Sequence, residues 1–266
     1  MTVKKHKRIL VIGDIHGCAT ALKTLLNEVQ PRQDDLIITL GDYVDRGPAS
    51  YEVLEILIRL YKQGSLVPLR GNHEILLLLN CQKYCSQSWY ESIRNTDNKR
   101  QLFTNAKATN MELRIAKIKM ATLIPLWNNC GSETTVRSYC QVNHRRLPII
   151  PEHHFHFFDQ DCVDWYELDE FIFVHGGVST SMPIDKTNIQ TLHWKRTNSL
   201  TEPRPCSGKI IVCGHSVQEN AIPGLGKNAI CLDTGACCGG WLSCFDLKSS
   251  ECWQANEQRE VRRFEF

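Results

Sequence analysis

Three times within the first 74 residues a short β-branched or Leu-rich run ends in glycine followed by a residue able to bind a cation. The runs are Arg8 to Ile12 before Gly13-Asp14, Leu36 to Leu40 before Gly41-Asp42, and Leu66 to Arg70 before Gly71-Asn72. Helical patterns separate them. Ala21, Leu22, Leu25, Leu26 and Val29 share one helix face, and Tyr51, Leu54, Leu57, Ile58 and Tyr61 share another after a candidate N-cap at Ser50. A β-α-β-α-β order of this kind requires parallel strands joined by right-handed crossovers. Sites in such units gather beyond the carboxyl ends of the strands, where these polar residues fall.

From Ile75 to Glu170 the pattern loosens. It holds a polar stretch from Ser86 to Asn110, an amphipathic fragment (Leu113, Ile115, Ala116, Ile118, Lys119, Thr122) and a Pro-opened helix candidate at Pro151 to Asp159. Strand signals resume at Phe171 to Val174 before His175-Gly176, Lys209 to Cys213 before Gly214-His215, and Ala229 to Leu232 before Asp233. Leu242 to Asp246 and Glu251 to Ala255 form an end hairpin. We therefore expect a single α/β domain over residues 1–266 with a mostly helical insertion at about 80–165.

Composition narrows the function classes. With 31 Lys plus Arg against 29 Asp plus Glu, 23% charged and 42% hydrophobic residues, the chain is neither disordered nor built for an electrostatic grip on nucleic acid. The apolar run Ile75 to Leu79 is far short of a membrane span, and the basic Lys4 to Arg8 arm leads into no signal-like apolar stretch, so a cytoplasmic location is expected. The 13 cysteines include no CxxC pair and read as reduced thiols. Cys81 and Cys85 lack the second ligand pair that a zinc knuckle needs.

The strand-end residues form a set: Asp14, His16, Asp42, Asn72, His175 and His215, with Asp45, Arg46 and His73 in the adjoining loops. Carboxylate, imidazole and amide ligands without thiolate suit Mn²⁺, Fe²⁺ or Zn²⁺, and six are too many for one catalytic ion that must keep a position open. Two divalent ions are implied, with Asp42 as the natural shared ligand holding them roughly 3.5–4 Å apart. Any one Gly-Asp or strand-end His is commonly a turn or a core residue. The ordered set is specific.

The stretches Gly13-Asp14-Ile15-His16-Gly17, Gly41-Asp42-Tyr43-Val44-Asp45-Arg46-Gly47 and Gly71-Asn72-His73-Glu74 resemble the three signature motifs of the phosphoprotein phosphatase family within the calcineurin-like metallophosphoesterases. His175-Gly176 and Gly214-His215 look like its later metal histidines. His193-Trp194-Lys195-Arg196 and Leu232-Asp233-Thr234-Gly235-Ala236 are similar to segments of the bacterial and phage branch, which includes lambda phosphatase and symmetrical diadenosine tetraphosphate hydrolases. The likeness runs from about Ile9 to Leu247 and is weakest across the insertion.

This resemblance implies a sandwich of two β-sheets flanked by helices. Asp14, His16 and Asp42 would hold one ion and Asp42, Asn72, His175 and His215 the other, Mn²⁺ being favoured over Fe²⁺ or Zn²⁺. Arg46, Asn72 and Arg196 would bind the phosphate, His73 would protonate the leaving oxygen, and Asp45 would orient His73. A metal-bridging hydroxide would attack phosphorus directly, without a phosphoenzyme. The implied activity is that of a serine/threonine protein phosphatase, with phosphotyrosine within its chemical reach; the alternative is hydrolysis of diadenosine tetraphosphate or another nucleotide polyphosphate. The expected partner is a phosphoprotein or phosphopeptide substrate, with a nucleotide polyphosphate as the alternative and no nucleic acid or membrane, and the chain itself is expected to be a monomer. A binding module without activity is disfavoured because every predicted ligand is present.

Departures from the wider pattern also inform. Val217 stands where nucleases and cyclic-nucleotide phosphodiesterases of this superfamily carry a second His, and Thr234 to Gly239 replaces the eukaryotic toxin-contacting loop, so weak inhibition by such toxins is expected. His153, His154 and His156 read as a solvated helix near the site mouth rather than a metal site. Arg70 reads as a structural partner of a carboxylate, and Glu74 as support for a ligand. Trp127, Asn128, Asn129 and Glu133-Thr134-Thr135 read as packing or as an entrance lining, in an insertion expected to set substrate choice.

Overall fold

The computed structural model describes residues 6–80, 126–144 and 148–266. Strands β1 (Ile9–Ile12), β2 (Leu36–Thr39) and β3 (Leu66–Pro68) run parallel, with Ile9 beside Leu36 and Ile37 beside Leu66. Helices α1 (Ala19–Val29) and α2 (Ser50–Lys62) make the crossovers. The N-cap of α2 is Ala49, not Ser50, which is the first helical residue and whose hydroxyl lies 3.1 Å from that of Thr135. Pro68 is tolerated because β3 is an edge strand, where a missing N–H breaks no ladder.

A second sheet holds β4 (Trp165–Glu167), β5 (Phe171–Val174), β6 (Ile210–Cys213), β7 (Gly224–Leu225) and β8 (Ala229–Cys231), in the order β4-β5-β6-β8-β7. Its β5, β6 and β8 are parallel. The first sheet is completed by β9 (Leu242–Asp246), β10 (Glu251–Ala255) and β11 (Val261–Glu265), in the order β11-β10-β9-β1-β2-β3. The expected end hairpin thus gains a third strand. β11 carries Arg262 over Trp241 and Arg263 over Trp253, and its charges hide a strand pattern whose exposure nonetheless alternates.

Strand alternation builds the layers. Val11, Ile38, Leu40, Phe173, Val212 and Leu232 interleave between the two sheets. Leu10, Ile12 and Ile37 face the other way, onto Leu22, Leu25, Leu54 and Leu57 of α1 and α2. Ile172, Val174, Ile211 and Cys213 turn to the far side of the second sheet, where Leu192 of α6 (Ile189–Trp194) covers them. The result is two mixed sheets face to face with helices outside.

The remaining helices are α3 (Asn72–Asn80), α4 (Ser132–Asn143) and α5 (Glu152–His156), the last opened by Pro151 and passing into a π-helical turn at Phe157–Asp161. The Ser86 to Asn110 stretch, the fragment from Leu113 to Thr122 and the Cys81, Cys85 pair lie outside the described residues. The eleven described cysteines are free thiols. No helix among the described residues is long and apolar enough to cross a membrane.

The histidine-rich helix differs from expectation. His154 is fully buried, with Nδ1 at 2.8 Å from the Tyr139 hydroxyl and Nε2 at 2.8 Å from Glu55; only His153 and His156 are exposed. Tyr139 and Glu55 come from α4 and α2, so one imidazole joins three helices that sequence spacing alone could not bring together.

Candidate metal centre

Each predicted ligand emerges where a parallel strand ends. Asp14 and His16 follow β1, Asp42 follows β2, Asn72 opens α3 after β3, His175 follows β5, and His215 follows β6. The carboxyl ends of both sheets therefore meet at one place, joined by His215 N–H donating to Asp14 Oδ2 at 2.9 Å and by His175 Nε2 at 2.9 Å from Asn72 Oδ1. Two glycines permit this approach: a Cβ on Gly214 would overlap Asp14 Oδ1, and one on Gly71 would overlap Asp42 Oδ1. Ten described non-glycine residues have positive φ, and five of them are His16, Asp42, Asp45, Arg46 and His215. Backbone strain is concentrated where side chains must be aimed inward.

The donor atoms are poised for cations. His16 Nδ1 donates to Val44 O at 2.9 Å and His175 Nδ1 to Leu40 O at 2.8 Å, which directs Nε2 of both rings into the centre. His16 Nε2 and Asp14 Oδ1 are buried with no hydrogen-bond partner. Two groups of ligand atoms converge, His16 with Asp42 and His73, and Asp42 with His175 and His215, and Asp42 belongs to both. His16 Nε2 lies 3.4 Å from Asp42 Oδ2, and His175 Nε2 lies 3.3 Å from Asp42 Oδ1. Ligands of a tetrahedral ion with bonds of about 2.1 Å stand about 3.4 Å apart. The residues fit divalent metal ions of the oxygen-and-nitrogen-loving kind.

The electrostatics carry the same demand for positive charge. Burial, with the charge of Asp233 beside it, pushes Asp14 well above the ordinary carboxylate range. Burial opposes ionisation of Asp42 as well, yet the imidazoles of His175, His73 and His16 hold it well below that range. Burial pushes His16 down to about 3 and His215 down to about 4, while for His175 the charge of Asp42 overcomes burial and carries it up to about 10.

A third cluster of metal-ligating types, Glu55 with His153 and His154, is different in kind. Both Nε2 atoms sit at hydrogen-bond distance from Glu55 Oε1, 2.9 and 2.8 Å, and His154 Nδ1 is satisfied by Tyr139. That cluster is closed by its own hydrogen bonds and leaves no orphaned ligand atom.

Around the centre lie the other predicted residues. His73 Nδ1 stands 2.7 Å from Asp45 Oδ2, and its Nε2 stands 3.3 Å from Arg46 Nη2. Burial lowers the His73 pKa, but Asp42 and Asp45 together raise it above the ordinary imidazole value. Arg196 is exposed, near enough for its charge to depress His215. Glu74 accepts N–H bonds from Gly71, Asp42 and Tyr43, each at 2.8 Å, as support for the Asp42 loop. Arg70 pairs with Asp164, in its expected structural role. Trp127 and Thr135, both about 1% exposed, line no entrance: they bind the Asp45 carboxylate. Trp127 and Thr135 are not among the predicted site residues, since nothing local to them marks a contact reaching 82 or more residues along the chain; Asp233, whose charge acts on Asp14, is not among them either, although it follows an apolar run in the same way as the predicted set.

Comparison with known proteins adds independent findings. The family model described as calcineurin-like phosphoesterase matches residues 7–235. A serine/threonine-protein phosphatase 1 of Salmonella typhimurium is 38% identical over 76 residues, 28% of this chain and 33% of that protein. A symmetrical bis(5'-nucleosyl)-tetraphosphatase of Wigglesworthia glossinidia brevipalpis is 44% identical over 70 residues, 26% of this chain and 25% of that protein. The match to each of these two relatives thus spans about a third of its length or less. Among solved structures, a putative diadenosine tetraphosphatase is similar with TM-score 0.53 and 19% identity over 99% of this chain and 94% of the other. A cold-active protein-tyrosine phosphatase of a psychrophilic Shewanella gives 0.55 and 18% over 97% and 80%. At such identities the structural likeness speaks for the fold alone.

Proposed function

The chain belongs to the calcineurin-like phosphoesterase family, and from that premise we propose that it hydrolyses phosphomonoesters, with phosphoserine or phosphothreonine in a protein as leading substrate and phosphotyrosine within reach. The observation that carries this reading is the His73–Asp45 contact of 2.7 Å at the edge of the six-residue donor set. A proton donor held this way matters most when the leaving oxygen is a poor one, and a serine alkoxide is such a group.

In this reading Asp14, His16 and Asp42 hold one divalent ion and Asp42, Asn72, His175 and His215 a second, Mn²⁺ being favoured and Fe²⁺ or Zn²⁺ open. When bound, such ions acidify water and offset charge on phosphoryl oxygens. Arg46 and Arg196 grip the phosphate with planar, permanently charged forks, helped by the Asn72 amide. His73, protonated on both nitrogens, keeps its Nδ1 proton donated to Asp45 and gives its Nε2 proton to the departing oxygen, ending as the neutral Nδ1–H imidazole. Free thiols at the eleven described cysteines fit the reducing cytoplasm.

The second reading, hydrolysis of diadenosine tetraphosphate or another nucleotide polyphosphate, is supported by the 44% identity to the Wigglesworthia protein over 70 residues. The two differ in leaving group. The test is kcat/KM of the Mn²⁺-loaded chain on a phosphoserine peptide, a phosphotyrosine peptide and diadenosine tetraphosphate, for wild type and His73→Asn. We expect preference for a phosphopeptide and a loss of about 10²–10⁴-fold in His73→Asn on phosphoserine, with a smaller loss on the dinucleotide. Preference for the dinucleotide, with equal losses on both, overturns the protein-phosphatase reading.

A further inference from the structure

We propose that Trp127 and Thr135 are positioning residues for the His73 proton donor, holding the Asp45 carboxylate so that His73 keeps one tautomer and one orientation. The proposal rests on the reading of His73 as general acid. It gives the segment from Trp127 to Thr135, within the stretch expected to set substrate choice, a part in the chemical step itself.

Asp45 is fully buried, and three donors converge on its carboxylate. Thr135 Oγ1 stands 2.7 Å from Oδ1; Trp127 Nε1 at 2.9 Å and His73 Nδ1 at 2.7 Å share Oδ2. An indole N–H can only donate. The Thr135 hydroxyl accepts the Asp45 N–H at 2.8 Å and donates its own proton to Oδ1, so Ser50 Oγ, 3.1 Å away, donates to Thr135. With the carboxylate thus fixed as acceptor on both oxygens, the imidazole nitrogen facing Oδ2 must be the donor. His73 Nε2 is left pointing outward, toward Arg46.

The same segment fixes the backbone. Asp45 and Arg46 have φ of 70° and 69°, a left-handed pair without glycine. Such a conformation is strained for residues with a Cβ and persists only when neighbours impose it. Here Asp45 N–H is held by Thr135 Oγ1, and Arg46 N–H by Gly131 O at 3.1 Å. One stretch of chain therefore aims both the orienting carboxylate and a phosphate-binding arginine.

Trp127→Phe keeps most of the buried volume and removes the indole donor. On a phosphoserine peptide it is expected to lower kcat by about 10–100-fold with KM little changed, the usual cost of losing a partner of this kind. On 4-nitrophenyl phosphate, whose phenolate departs unprotonated, the loss should be several-fold smaller. Thr135→Val should act in the same direction and Thr135→Ser should restore the rate. In a His73→Asn background Trp127→Phe should add nothing. Equal loss on both substrates, or an undiminished loss without His73, overturns the proposal. A second measurement is independent of turnover: in the metal-free chain the Trp127 indole proton resonance, assigned by its absence in Trp127→Phe, should move in Asp45→Ala. An unmoved resonance overturns the contact. A wild type that cleaves only the dinucleotide overturns the functional reading instead, and the indole resonance still decides whether the clamp exists.

Discussion

Glu74 carries no ligand atom of the centre, yet its carboxylate spans the turns after β2 and β3. One oxygen accepts from Gly71 and Asp42 and the other from Tyr43, all at 2.8 Å, in a setting with no exposure. Those bonds hold Asp42 at φ of 52°, the conformation that lets it face both groups of ligand atoms. Glu74→Gln keeps the shape and exchanges one acceptor oxygen for a donor amide, which confronts backbone N–H groups and is left unsatisfied. We expect divalent-metal affinity to fall about 10–100-fold, with a larger loss for Asp42→Asn. Titration of the metal-free chain with Mn²⁺, following bound ion directly, checks this; unchanged affinity in Glu74→Gln would show that the turn holds itself.

At the scale of elements, the end of β3 is fastened by Arg70. Its guanidinium donates to Phe158 O at 2.9 Å, Asp159 O at 3.1 Å and Cys162 O at 2.8 Å, and it pairs with Asp164, whose carboxyl it holds well below the ordinary range against the opposing effect of burial. The π-helical turn Phe157–Asp161 is thereby bound to the strand that delivers Asn72 and His73. Arg70→Ala leaves three carbonyls without their donor and the half-buried Asp164 carboxylate with only His193 Nε2, at 3.2 Å, beside it. A loss of about 3–5 kcal/mol is expected, read as a fall in the urea midpoint at unchanged slope; a change under about 1 kcal/mol would mean that water replaces the guanidinium.

These elements also mark what a sequence makes legible. An apolar run ending in Gly and a residue able to bind a cation is local information, so the strands before Asp14, Asp42, Asn72, His175 and His215 and these candidate ligands stand out. The strands Trp165–Glu167 and Val261–Glu265 do not, because the first lies in a weakly patterned region and the second is an edge bearing Arg262 and Arg263. Trp127, Thr135 and the buried state of His154 depend on contacts 82 to 99 residues apart, which no local pattern encodes.

The whole molecule is linked to pH through that same His154. Its ring lies where α2, α4 and α5 meet, facing Glu55, His153, Tyr139 and Tyr51, and burial pushes its pKa down to about 4. Its unfolded value is near 6.5, so between those limits the unfolded chain takes up a proton that the folded chain refuses. Stability from this group is complete above pH 6.5 and falls as pH drops toward 4. At pH 5 the loss is about 2 kcal/mol at most, reduced by the half-exposed Glu55, which can pair with the imidazolium. His16 and His215, also depressed, act in the same sense in the metal-free chain, whereas Asp159, pushed up to about 6 by burial, works oppositely by favouring the folded state as pH falls. A comparison with His154→Gln isolates one group, since the amide can accept from Tyr139 and donate to Glu55 without titrating. Denaturant unfolding of the metal-free proteins at pH 7 and pH 5 should show wild type losing more stability than the variant over that interval. Equal losses would mean that the helix junction opens to water before the imidazole is protonated, and the coupling of this buried ring to the fold would be absent.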